Sequence, residues 1–123
     1  MIKKIKGLAS SLGISKCLSL FPGQLSAGQC QLSSLAKAII KKPSLLLLDE
    51  AFSNLDPENK KQFLKTIKAL QKEYSPTILF VTHNYQEIYE IADYVAIMEN
   101  GKINKIIDRN DKLFNHLEEI IEN

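Results

Sequence analysis

The chain is expected to fold as an α/β domain built on a mainly parallel sheet with flanking helices. Two observations predict this. The short apolar runs Leu45 to Leu48 and Thr77 to Val81 show no polar alternation, as expected of strands covered on both faces. Longer segments with apolar residues at helical spacing lie before, between and after them, and strands alternating with helices give parallel sheets.

The elements follow in order. Ile5, Leu8, Ala9 and Leu12 recur at helical spacing, and Gly13 suits the residue just past a helix end. Phe21-Pro22-Gly23 is turn chemistry. A second helix begins around Ser26 to Gly28 and runs to Lys41 or Lys42, with Leu32, Leu35, Ala36, Ile39 and Ile40 as its stripe and Pro43 as its stop. After the leucine run, Asp56 reads as an N-cap, Pro57 as the first helical residue and Glu58 as first-turn acid. This helix continues through Phe63, Leu64, Ile67 and Leu70 to about Tyr74, where Ser75-Pro76 breaks it. Helix Tyr85 to Ala92 and strand Tyr94 to Glu99 come next, and Asn100-Gly101 signals a hairpin into Lys102 to Ile107. The tail, Asp111 to Glu122, reads as one amphipathic helix with Leu113, Phe114, Leu117, Ile120 and Ile121 on one side.

Composition narrows the classes. With 123 residues, 45% hydrophobic and 24% charged, the chain is one globular domain or a piece of one. A net charge of +2 is too small to argue for a nucleic-acid partner. No apolar stretch reaches the roughly 20 residues that span a bilayer, and the basic start has no long apolar run behind it, so neither a membrane span nor a secretory signal is expected. Cys17 and Cys30 are widely spaced and form no metal-ligand pattern with His83 or His116, so two reduced thiols are expected and a structural zinc is not.

Chemistry concentrates at strand ends. Asp49 and Glu50 terminate the leucine run, and ligands of parallel sheets bind beyond the carboxyl ends of the strands. At about 5 Å two such charges repel by roughly 3 kcal/mol at an effective dielectric near 20. A divalent cation would remove that penalty. Asp49 is therefore a candidate Mg²⁺ ligand and Glu50 a candidate for orienting or deprotonating water, although capping or solvated carboxylates would give the same pattern. His83 follows the second strand and could donate to a phosphate. Leu25-Ser26-Ala27-Gly28-Gln29 joins a turn to a helix start, where backbone N–H groups and the dipole favour anions; a plain N-cap is the alternative.

In this order and spacing, these segments closely resemble the nucleotide-binding domain of ATP-binding cassette (ABC) transporter ATPases, from about Ile5 to Phe114. Leu25 to Gln29 matches the L-S-G-G-Q signature, Leu45 to Glu50 the Walker B strand with its glutamate, Ser53 to Asp56 the D-loop and His83 the switch histidine. The stretch from Thr82-His83-Asn84 to Ala92-Asp93, with Gly101-Lys102-Ile103, looks most like bacterial importers of small solutes or oxyanions.

The resemblance implies a P-loop NTPase-like sheet, with residues 1–42 as the end of a helical subdomain carrying the signature helix and 43–123 as the C-terminal half of the ATPase core. It implies ATP and Mg²⁺ as cofactors. Glu50 and His83 would be catalytic, Asp49 would serve the metal, and Ser26, Ala27, Gly28, Gln29 and Asp56 would lie on nucleotide or the seam of a head-to-tail pair. Two residues depart from the pattern: Ala27 stands for a glycine and Leu32 for a basic residue. No G-x-x-x-x-G-K-[ST] phosphate loop, glutamine loop or adenine-stacking aromatic is matched.

In the family the phosphate-loop strand lies inside the sheet, between the strand ending at His83 and the strand Tyr94 to Met98. Without it, two strand edges and an apolar face are expected to lack cover, with about five hydrogen bonds at about 1 kcal/mol each unmade. The expected partners are a complementary N-terminal half or a full-length ABC subunit, and membrane permease subunits at the cytoplasmic face of the membrane. The expected role is part of the ATP-driven importer machinery, inactive alone. A non-enzymatic module pairing with an intact subunit, or a truncated product without function, are the alternatives.

Overall fold

A computed structural model describes residues 2–122 and divides into two compact units, residues 1–81 and 82–123. The 42/43 boundary read from the sequence lies inside the first unit, between its second helix and its first strand.

The first unit contains α1 (Ile2–Ser11), α2 (Ala27–Ile39), β1 (Leu45–Asp49), α3 (Pro57–Tyr74) and β2 (Thr77–Val81). Helix α1 ends where Gly13 takes a φ of 69°, a conformation glycine adopts without steric cost. Two short 3₁₀ turns, Ser15–Ser19 and Pro22–Gln24, carry the chain to α2. Helix α3 is capped by Asp56, whose Oδ1 accepts from the Asn59 amide at 2.8 Å. It stops at Ser75, which adopts the left-handed conformation before Pro76. The Gln62 side chain ties α3 to α1 by donating to the Ser11 carbonyl.

Strands β1 and β2 pair in parallel, Leu45 opposite Thr77 through Asp49 opposite Val81. Burial alternates along both. Leu46 and Leu48 are buried, whereas Leu45, Leu47, Leu79 and Val81 are exposed, Leu47 by 65% and Leu79 by 60%. The expectation of two covered faces is thus overturned. Among the described residues β1 and β2 are a two-stranded sheet with one apolar face packed and the other bare. Composition alone demanded cover for both faces; this chain supplies only one. The covered side centres on Phe52, whose ring meets Phe63 edge-on at 4.7 Å and Phe80 at 6.4 Å.

The second unit contains α4 (Tyr85–Ile91), β3 (Tyr94–Glu99), β4 (Lys102–Asp108) and α5 (Leu117–Glu122). Strands β3 and β4 form an antiparallel hairpin with an irregularity at Ile97/Met98. Asn100 and Gly101 both take positive φ, 50° and 75°, as the two-residue turn requires. The tail is not one helix: Asp111 accepts from the Leu113 amide, a 3₁₀ turn covers Lys112–His116, and only Leu117–Glu122 is α-helical. The break still buries Phe114 and Leu117.

Arg109 closes this unit. Its guanidinium donates to the Tyr89 and Ala92 carbonyls at the end of α4, and it lies 5.3 Å from the Phe114 ring centroid. Arg109→Ala is expected to cost about 1–3 kcal/mol, because half-buried carbonyls lose a charged donor and Phe114 loses its cover. A fall in the urea midpoint at unchanged slope is the measurement that checks it.

Candidate nucleotide site

The end of β1 carries the two carboxylates. Asp49 is its last residue and lies, with Leu45 and Leu47, on the bare face; both Asp49 and Glu50 are exposed. Glu50 does not continue the strand. Its amide still donates to the Val81 carbonyl at 2.9 Å, but its φ is 48°, the left-handed region that non-glycine residues avoid. The chain then turns sharply through residues 51–54 toward the Asp56 cap. Among the described residues no group of three or more His, Cys, Asp or Glu could hold a metal by itself. An exposed strand-end carboxylate such as that of Asp49 nevertheless suits Mg²⁺, which binds one or two carboxylates and completes its shell with phosphate oxygens and water.

The signature segment starts α2. Ser26 is the N-cap: its Oγ accepts from the Gln29 amide at 3.1 Å, and Gln29 Oε1 accepts from the Ser26 amide at 2.9 Å. This reciprocal capping box engages two of the N–H groups at this helix start. Ser26 and Ala27 remain exposed, and Gln29 is half-buried. Gly28 is buried against α3: a Cβ there would meet Asn59 Nδ2 at 3.1 Å and Leu55 Cδ2 at 3.5 Å. Asn59 also donates from Nδ2 to Asp56 Oδ2 at 3.1 Å, so one side chain lies against both α2 and the cap of α3. Leu32 is 0% exposed, and the position that resembles a basic site belongs here to the core.

His83 belongs to the second unit, two residues beyond the end of β2. It is flanked by a hydrogen-bonded turn. The Thr82 hydroxyl donates to the buried Glu87 carboxylate and accepts from the Asn84 amide at 3.0 Å, while Asn84 caps α4 by accepting from the Gln86 amide at 2.9 Å. Glu87 was not singled out from sequence. Its spacing from Thr82 was visible, but its burial came only with α4.

Two further contacts were missed. The Glu50 carbonyl accepts from the Ser53 amide at 3.1 Å, from Ser53 Oγ at 2.8 Å and, at a longer 3.5 Å, from Gln31 Nε2 on α2. The Ser53 contact is local and follows from the turn. The Gln31 contact spans 19 positions, and no periodicity signals it.

Comparison with known proteins agrees with this layout. Residues 2–53 match the ABC transporter family model. The chain is 38% identical over 109 residues to the molybdate/tungstate import ATP-binding protein WtpC of Pyrococcus horikoshii, covering 89% of this chain and 32% of that one. It is 40% identical over 109 residues to the methionine import ATP-binding protein MetN 1 of Enterococcus faecalis, covering 89% and 30%. A solved metal-chelate type ABC transporter in an inward-facing conformation superposes with a TM-score of 0.75 at 28% identity, covering 88% of this chain and 44% of that one. The chain thus spans about a third of the length of these two curated relatives. Motif order, sequence and fold agree: over these residues the chain is similar to the ATP-binding subunits of ATP-binding cassette transporters.

Proposed function

We propose that the chain is part of the nucleotide-binding domain of an ABC importer, contributing to the coupling of ATP binding and hydrolysis to solute transport. The observation that carries this reading is the pair of exposed carboxylates at the rim of β1, beside an apolar face that another polypeptide segment has to cover. Asp49 serves Mg²⁺ and Glu50 acts on the attacking water. Ser26, Ala27, Gly28 and Gln29 approach the γ-phosphate bound by a partner subunit, Asp56 lies at the seam between the two, and His83 reaches the γ-phosphate of its own subunit. The relatives' names support import as the direction. Permease subunits at the cytoplasmic side of a membrane are the partners that follow from this. No helix among the described residues is long and apolar enough to cross a membrane.

The test is complementation. The chain is co-expressed with the N-terminal portion of a related subunit containing G-x-x-x-x-G-K-[ST], and co-purification and Mg·ATP hydrolysis are measured. A stable complex that hydrolyses ATP, with neither part active alone, is the expected result. Hydrolysis by the isolated chain would overturn the need for a second segment. A stable complex with an intact subunit but no turnover would favour the non-enzymatic module instead.

A further inference from the structure

We propose that Ser53 and Gln31 are positioning residues that clamp the Glu50 carbonyl and so hold Glu50 in its left-handed backbone conformation at the rim of β1. The inference rests on the functional reading for its purpose, but its structural content does not depend on nucleotide.

Among the described residues, four other than glycine have positive φ: Lys42, Glu50, Ser75 and Asn100. Three have local reasons. Ser75 ends a helix, and Asn100 makes a hairpin turn. Lys42 closes the turn after α2, where its amide donates to the Ile39 carbonyl. Glu50 is different, because it directly follows a strand and carries the carboxylate assigned to the reacting water. Backbone strain of this kind persists only where the surroundings over-determine it.

Those surroundings are visible here. On the amide side, Glu50 remains bonded to Val81 as the last rung of the parallel ladder. On the carbonyl side, the peptide leaves the ladder and meets three donors, two from Ser53 and one from Gln31. A residue fixed at both ends in this way has its φ and ψ set by its neighbours, and the direction in which its side chain leaves the backbone is set with them. The two Ser53 contacts are shorter and dominate. Gln31, at 3.5 Å, adds a weaker link from the signature helix.

The Gln31 amide supports the assignment. With Nε2 toward Glu50, its Oε1 is buried without a hydrogen-bond partner among the described residues. Turning the amide over would set two carbonyl oxygens against each other.

The experiment uses the isotope-labelled 123-residue chain and reads the Glu50 backbone from its three-bond HN–Hα coupling and its Cα and Cβ shifts. The parent should show left-handed values. Ser53→Ala should move them toward the extended range, Ser53→Thr should restore them through its hydroxyl, and Ser53→Ala with Gln31→Leu should move them furthest. Gln31→Leu alone should shift them by a smaller amount without lowering the thermal midpoint, since it also removes a buried acceptor. A merely structural role would not produce that separation. Left-handed values that survive in the double variant, or a threonine variant displaced as far as the alanine one, would overturn the proposal. Should Ser53→Ala not fold, an unmoved Glu50 in Gln31→Leu removes the helix α2 half of the clamp, and a displaced Glu50 in Ser53→Thr removes the other. Because no nucleotide is present, a chain that fails to support hydrolysis leaves this result standing, and the reverse also holds.

Discussion

Glu50→Gln in the complemented assembly should lower kcat by about 10²–10⁴-fold while ATP affinity changes little. Glutamine has the size of glutamate and keeps an acceptor oxygen, but it cannot take a proton from water. The contacts that define the backbone at this position are made by its amide and carbonyl, so the substitution leaves them in place. Steady-state hydrolysis and equilibrium nucleotide binding measured on the same preparation separate the two effects. Retention of turnover to within a few-fold would remove Glu50 from the chemistry. An equal loss of binding would reassign it to holding the nucleotide.

Phe63→Ala should cost about 3–5 kcal/mol, a large share of the 5–15 kcal/mol that typically separates folded from unfolded chains. Phe63 is 1% exposed, and its ring meets Phe52 edge-on at 4.7 Å. Phe52 in turn touches Phe80 on β2. Truncation therefore empties the point where α3, the loop after β1 and β2 come together on the packed side of the sheet. The opposite face is already bare, so few apolar contacts are available to compensate. Urea unfolding followed by far-UV circular dichroism should show loss of the cooperative transition or a strongly lowered midpoint. Phe63→Leu, which keeps most of the volume, should recover much of it. A midpoint within about 1 kcal/mol of the parent for Phe63→Ala would show that the core is centred elsewhere.

Much of this fold was legible in the residues. The Asp56-Pro57 start of α3, its end at Ser75-Pro76, the stripe of Leu32, Leu35 and Ile39 in α2 and the Asn100-Gly101 turn all rest on local chemistry, and each was found where expected. The tail was misread because Leu113, Phe114 and Leu117 suit a 3₁₀ turn followed by a helix as well as one continuous helix, and the Asp111 cap decides between them. The candidate carboxylates were visible as a run of leucines ending in charge. The left-handed backbone of Glu50 and the donors around its carbonyl were not, since the Gln31 contact joins residues from different elements.

The amino-acid order by itself determined most of the elements, the order of the motifs and the family resemblance, because caps, breakers and periodicity act within a few residues of one another. Only the tertiary structure decided which apolar face of β1 and β2 is covered, that Gly28 and Asn59 join the signature helix to α3, and that Glu50 leaves its strand in a left-handed turn. Each of these depends on which surfaces meet, and a leucine run has the same pattern whether one side of it is packed or two.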